Sequence, residues 1–257
     1  MLNFRNTNIY FVTLICILVV INIFYFIPLP IYLAIFLIYS IIVFYGCYNV
    51  NSQFFLKVIC SVKTDKKEIA ISFDDGPAIN YTPGILQVLN ENNVKAAFFC
   101  IGDRINGNEK ILKQLHEDGH IIGNHSFSHS FWFDLFSSEK MLDDMKQMDN
   151  KMVQVTGLKP KFFRPPYGVT NPNLRKAILK GNYIPIGWNV RSMDTVIKDK
   201  EKLFKNVSRS LRPGAIILFH DTSKATLEIL PRFIQETIRN GYDIVRLDTL
   251  LKLDAYA

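Results

Sequence analysis

Charge is missing from one end of this 257-residue chain. Between Arg5 and Lys57 there is no Asp, Glu, Lys or Arg, and every acidic residue lies beyond residue 60. The positive mean hydropathy therefore averages an apolar N-terminal stretch with an ordinary water-soluble remainder of about 200 residues, enough to bury a substantial core. Cysteine is scarce as well: Cys16 and Cys47 fall in the apolar region, Cys60 and Cys100 beyond it, and no Cys-x-x-Cys pair occurs. Four scattered cysteines make no disulfide framework and read as packing residues. There is no basic helix interleaved with aromatics, so the net charge of +7 points to a solvated surface or an anionic envelope partner rather than nucleic acid. No internal repeat is evident.

What fills the uncharged stretch are two apolar runs, at about 9–28 and 31–47, separated by Pro28-Leu29-Pro30. About 20 apolar residues cross a hydrocarbon core of ~30 Å, and closely spaced prolines suit a turn between two helices. The expected anchor over 1–57 is a two-span transmembrane helical hairpin, with Tyr10, Tyr25, Phe26, Tyr45 and Tyr48 near the span ends. Arg5 on one side and Lys57, Lys63, Lys66 and Lys67 on the other place both ends in the cytoplasm by the positive-inside rule. A re-entrant segment would instead turn the following domain outward, so a multi-pass membrane protein is expected with the side of the domain open. Residues 58–67 read as a basic linker, and 68–257 as the soluble domain.

That domain alternates short β-rich runs (68–73, 95–101, 120–124, 161–164, 183–188, 215–219, 242–247) with helical stretches (82–91, 109–117, 138–156, 172–180, 200–211, 226–240). Gly119, Gly157, Gly181 and Gly241 fall where helix C-caps are expected. Repeated βα units imply a parallel sheet, and seven strands favour barrel closure: an α/β fold, a distorted (β/α)7 barrel. In such barrels chemistry gathers at the C-terminal strand ends.

Polar clusters lie at five of those ends. Asp74-Asp75 in Ser72–Pro77 puts two carboxylates side by side, which repel unless a metal takes one and a proton task the other; an Asp-Gly-Pro turn is the plainer reading. His125 and His129, at i and i+4, share a face if they lie on a helical turn and can close on one metal, although two surface histidines would give the same pattern. With Asp75 they form a two-imidazole, one-carboxylate set suited to Zn²⁺, Co²⁺ or Fe²⁺. Arg164, in Arg164–Gly168, can hold Asp74 ionised, while Pro165 and Pro166 fix a loop whose backbone near Tyr167 can face an oxyanion. His220 ends a very apolar strand.

Taken in order and spacing, Ser72–Pro77, His125–His129, Arg164–Gly168 and Leu218–His220 resemble the motifs of the polysaccharide deacetylase family, carbohydrate esterase family 4, with its nodulation-factor-deacetylase-like domain. The resemblance implies a distorted barrel with a divalent metal, Zn²⁺ first and Co²⁺ second. It also implies catalytic Asp74 (base) and His220 (acid) and the metal ligands Asp75, His125 and His129. Arg164 would position Asp74; Tyr167, Pro166 and Leu218 would bind substrate. One motif departs: where many members have Asp-x-x-Asp-Trp, this chain has Arg191-Ser192-Met193-Asp194-Thr195. Asp194 is kept and can orient His220, and Trp188 or Trp132 can supply the lost aromatic wall, although either reads equally as core or surface packing. The implied reaction is N-deacetylation of N-acetylglucosamine units in peptidoglycan or another envelope glycan. The alternatives are deacylation of a lipid-linked sugar at the bilayer surface, O-acetyl esterase activity, and a non-catalytic glycan-binding protein.

Overall fold

The computed structural model describes residues 3–257. The uncharged end forms two antiparallel helices, α1 (Phe4–Phe24) and α2 (Leu29–Tyr48). Asn3 caps α1 by accepting the Asn6 N–H, and Pro30 sits in the first turn of α2, where a missing N–H costs nothing. Stacking of Phe11 on Tyr39 (centroids 4.3 Å) and a bond from the Tyr39 hydroxyl to Asn8 (2.8 Å) tie the pair together. Both helices are long and apolar enough to cross a membrane, and their side chains are almost wholly unburied. A core helix of a soluble domain would instead bury one face.

The remainder is a curled parallel sheet wrapped by helices, a distorted (β/α)7 half-barrel as expected. In chain order come β1 (Glu68–Asp74), α3 (Thr82–Glu91), β2 (Ala97–Cys100), the short α4 (Gly102–Ile105), α5 (Glu109–Glu117), β3 (Ile121–Asn124) and α6 (Ser138–Thr156). Then follow β4 (Phe162–Phe163), α7 (Pro172–Gly181), β5 (Ile184–Pro185), β6 (Val190–Arg191), α8 (Lys200–Arg209), β7 (Ile216–His220), α9 (Lys224–Arg239), β8 (Asp243–Ile244) and α10 (Leu247–Leu251). The sheet runs β5-β4-β3-β2-β1-β7-β6, with β8 pairing the start of β1, and every pairing is parallel. Two-residue β6 was not anticipated, because so short a strand has no period of its own. Gly119, Gly157 and Gly241 do take left-handed φ at helix ends; Gly181 does not, and Asn182 (φ 55°) closes α7 instead.

Alternation along β1 decides what lies where. Ile69, Ile71 and Phe73 pack under α3, α8 and α9, so Ala70, Ser72 and Asp74 fall on the other face by the period-two rule. The interior holds Ala97, Phe99, Ile121, Phe162, Ile186 and Ile216. Between β5 and β6 the barrel does not close. The stretch expected as a linker fills part of that seam: Ile59 bridges to Ile186, Ser61 to Ala215, and Val58 and Cys60 are buried. Apolar Val58, Ile59 and Cys60 gain more by burial than a solvated linker would allow. The hairpin is docked on the domain directly. Phe4 donates its N–H to Phe54 O (3.0 Å), and Thr170 donates to Cys47 O (2.9 Å) and through its hydroxyl to Gly46 O (3.3 Å).

Candidate active site and metal centre

Because all strands are parallel, their C-terminal ends share one face, and the polar clusters meet there. Asp74 and His220 are register partners across β1 and β7. Asp75 follows Asp74 in a left-handed conformation (φ 77°), with its carbonyl pinned by Arg104 Nη1 (2.6 Å). Its Oδ1 lies 3.6 Å from His125 Nε2 and 3.4 Å from His129 Nε2. Ligands at ~2.0–2.1 Å from a tetrahedral Zn²⁺ are ~3.3 Å apart, so this spacing fits a single ion. The three donor atoms form the one such cluster found among the described residues. His125 also uses Nδ1 on the carbonyl of Arg164 (2.8 Å), which fixes the tautomer that leaves Nε2 free for a metal.

The two histidines do not share a helical turn, contrary to the sequence expectation. Residues 125–130 form a loop in which Ser126 (φ 67°) and His129 (φ 43°) are left-handed. Asp144 on α6 accepts the N–H groups of Phe127 and Ser128, Asn124 accepts that of Ser126, and Ser126 Oγ accepts that of His129. These side chains impose the turn that brings the imidazole centroids to 4.9 Å. With Tyr167 (φ 58°) and Met193 (φ 66°), five non-glycine residues around the site sit in a region costing roughly 1–3 kcal/mol each. Strain so concentrated is a mark of a functional site.

Arg164 is fully buried and spans the barrel interior. Its Nη1 donates to Asp74 Oδ1 (2.6 Å) and Ser72 Oγ (2.9 Å), its Nη2 to Gly187 O (3.0 Å), and its guanidinium lies 3.9 Å from the Phe99 ring centroid. It therefore orients Asp74 and stitches the open seam in one stroke. On the opposite side Asp194, also fully buried, accepts from the His220 N–H (2.7 Å) and pairs with its Nδ1 (2.7 Å), while the Thr226 hydroxyl donates to it. Burial disfavours both charged forms, but the mutual hydrogen bond and charge win, lowering Asp194 below 3.8 and raising His220 above 6.5. Burial likewise opposes ionisation of Asp75, and the hydrogen bond from His125 with the neighbouring histidines outweighs it, holding that carboxyl low. His129 is pushed down to about 4 by burial and by His125, so it presents a neutral nitrogen.

Leu218 is buried with Trp188, which lies against Gly168; a Cβ there would come within 2.6 Å of the indole. Pro166 is buried, and Tyr167 is half-exposed with its ring 4.7 Å from that of His129. Thr195 and Trp132 are exposed, while Trp188 is buried. Arg191 is exposed 6.0 Å from the Trp188 ring. The sequence assigns no role to the supports: Ser72 and Asp221, which lie within the motifs, and Thr226 and Asp144, which do not; the buried Asp221 carboxyl is pushed up to about 7 by burial and accepts from Thr82 (2.6 Å). Ser72 was findable, two residues from Asp74 on one strand face; the others act across 16–139 residues of chain.

Comparisons with known proteins agree with this geometry. The family model for polysaccharide deacetylase matches residues 61–185. A peptidoglycan-N-acetylglucosamine deacetylase of Bacillus cereus is 30% identical over 192 residues, 73% of this chain and 70% of its own. The corresponding Listeria monocytogenes enzyme PgdA is 33% identical over 73% of this chain, which spans only 39% of that protein. Among solved structures, the Bc1960 peptidoglycan N-acetylglucosamine deacetylase superposes with TM-score 0.73 at 28% identity, covering 78% of this chain and 95% of that one. BA3943 of Bacillus anthracis, a family 4 pseudoenzyme, superposes nearly as well (TM-score 0.71, 27% identity, 76% of this chain and 69% of that one), so the fold by itself does not decide activity. Fold, motif order and similarity converge: the chain belongs to the polysaccharide deacetylase family, carbohydrate esterase family 4, and is by class a hydrolase of carbon–nitrogen bonds.

Proposed function

We propose that this protein removes N-acetyl groups from N-acetylglucosamine units of peptidoglycan or a related envelope glycan, at a membrane to which α1 and α2 anchor it. The observation that carries the reading is the placement of Asp74 and His220 on neighbouring strands beside the Asp75, His125 and His129 cluster. A carboxylate and an imidazole on adjacent strands are the pair an amide hydrolysis needs, one to take a proton from water and one to give a proton to the leaving amine.

Asp75, His125 and His129 would hold the divalent metal, Zn²⁺ in the first instance and Co²⁺ as a substitute. Such an ion, when bound, polarises a carbonyl and acidifies its water. Asp74 acts as base, paired with and aimed by Arg164. His220 acts as acid; burial disfavours its charged form, and the hydrogen bond and charge of Asp194 outweigh that and raise its hold on the proton. The Tyr167 backbone would donate to the oxyanion, and Leu218 with Trp188 and Pro166 would receive the acetyl methyl and exclude water. Base and acid each account for ~10²–10⁴-fold in rate.

The test is acetate release by the full chain in detergent, with Zn²⁺ or Co²⁺ and after chelation. Substrates are chitooligosaccharides, peptidoglycan fragments and acetylated xylan. Release from the first two that disappears with chelator and returns with metal is expected. Release only from xylan would replace amide by ester hydrolysis. No release from any, with metal bound, would rule the proposed glycans out.

A further inference from the structure

At the foot of the hairpin lies a cavity of about 860 Å³ that has no part in the chemistry above. Its walls come from the first turn of α1, from residues 53–57, and from one face of α7. They are largely apolar, with Phe55 and Leu179 among them, and carry four cations: Arg5, Lys57, Arg175 and Lys176. All four are exposed. No Asp or Glu lines the cavity, and among the described residues none of the four makes an ion pair. Four cations converging on an apolar hollow with no acid to balance them leave a site complementary to an anion that brings its own hydrocarbon.

Its height in the membrane frame follows from helix length. At 1.5 Å per residue the 21 residues of α1 measure ~32 Å and the 20 of α2 ~30 Å, each close to the thickness of a hydrocarbon core. Residues 3–5 at the start of α1 then stand at headgroup level, and so does a cavity they help to line. We propose that this cavity seats an anionic phospholipid of the surrounding bilayer, its phosphate among Arg5, Lys57, Arg175 and Lys176 and its upper acyl carbons against Phe55 and Leu179. The inference rests on reading α1–α2 as a membrane hairpin. Bound lipid would then bridge α1 and α7, and so the anchor and the catalytic domain.

The test uses the detergent-purified full chain and its Lys57→Gln/Arg175→Gln/Lys176→Gln variant, with Arg5 kept. Each is titrated with phosphatidylglycerol or phosphatidylcholine, and retained lipid is counted by native mass spectrometry. The expected result is selective retention of phosphatidylglycerol by the natural chain. The variant should bind it roughly 100-fold more weakly, each removed charge contributing roughly fivefold. Equal retention of the two lipids, or of phosphatidylglycerol by both proteins, would overturn the proposal. Acetate release from chitooligosaccharides by the variant should be unchanged, which shows that it is folded. Alkaline carbonate extraction of the natural chain from membranes separates the two readings: release into water removes the hairpin, whereas a chain that stays embedded without lipid preference removes only the site.

Discussion

Two ion pairs flank the three-ligand cluster, and they are built in opposite senses. On one side the carboxylate of Asp74 faces the cluster and a buried cation, Arg164, stands behind it. On the other the imidazole of His220 faces the cluster and a buried carboxylate, Asp194, stands behind it. Guanidinium does not release its proton in the working pH range, so the first pair is permanent and would suit the base proposed at Asp74. Imidazole titrates, so the second pair can give up a proton and take one back. The same physics, a buried charge neutralised by one partner, yields a fixed element on one strand and a switchable one on the next.

Arg164→Met should separate the pairs most strongly. It leaves Asp74 buried without its cation and unties Gly187, so a stability loss of about 3–5 kcal/mol is expected by chemical denaturation, with activity gone. Second, His125→Ala should abolish metal binding and turnover together; full activity in a metal-free variant would overturn the metal reading. Third, Asp74→Asn and His220→Ala should each lower kcat by ~10²–10⁴-fold while metal content stays at one per chain. A normal rate in either removes that residue from its role. Fourth, Asp194→Asn should move the alkaline limb of kcat/KM to lower pH, since it removes the charge that raises His220. The same substitution should remove stability that the natural pair holds only in a window. The window opens above about 3.8, where unfolded Asp ionises, and stability begins to fall above about 6.5, where unfolded His deprotonates, until it is lost past the raised value of His220. The smallest effect is expected for Ser72→Ala, about 1–3 kcal/mol from two lost hydrogen bonds, one accepted from Arg164 and one donated to the Ile217 carbonyl.

The barrel was legible because its signals are local. The helices at 82–91, 109–117 and 138–156 were read to the residue from apolar spacing and caps, and β1 from β-rich composition. The front of the site was legible for a related reason: parallel strands carry every strand end to one face, so residues following strands must meet. What sat behind that front was not. Thr226 and Asp194 are 32 residues apart, Thr82 and Asp221 are 139 apart, and nothing in either neighbourhood names the other. The loop carrying His125 and His129 misled for a different reason, because their helical spacing comes from a turn that Asp144 and Asn124 impose. The seam was not legible because Val58 to Cys60 are three apolar residues within a lysine-rich stretch, too few to carry a period.

A flexible tether of ten residues would let a domain wander roughly 16–19 Å from its anchor point. This protein has no such slack, because Phe4 is bonded to Phe54 and Thr170 to Gly46 and Cys47. On the membrane reading, the cluster of Asp75, His125 and His129 works at a fixed altitude above the lipid. If the proposed glycan is the substrate, reach is then set by the polymer: a sugar would be processed when its strand passes at that height, and strands lying farther out would be spared.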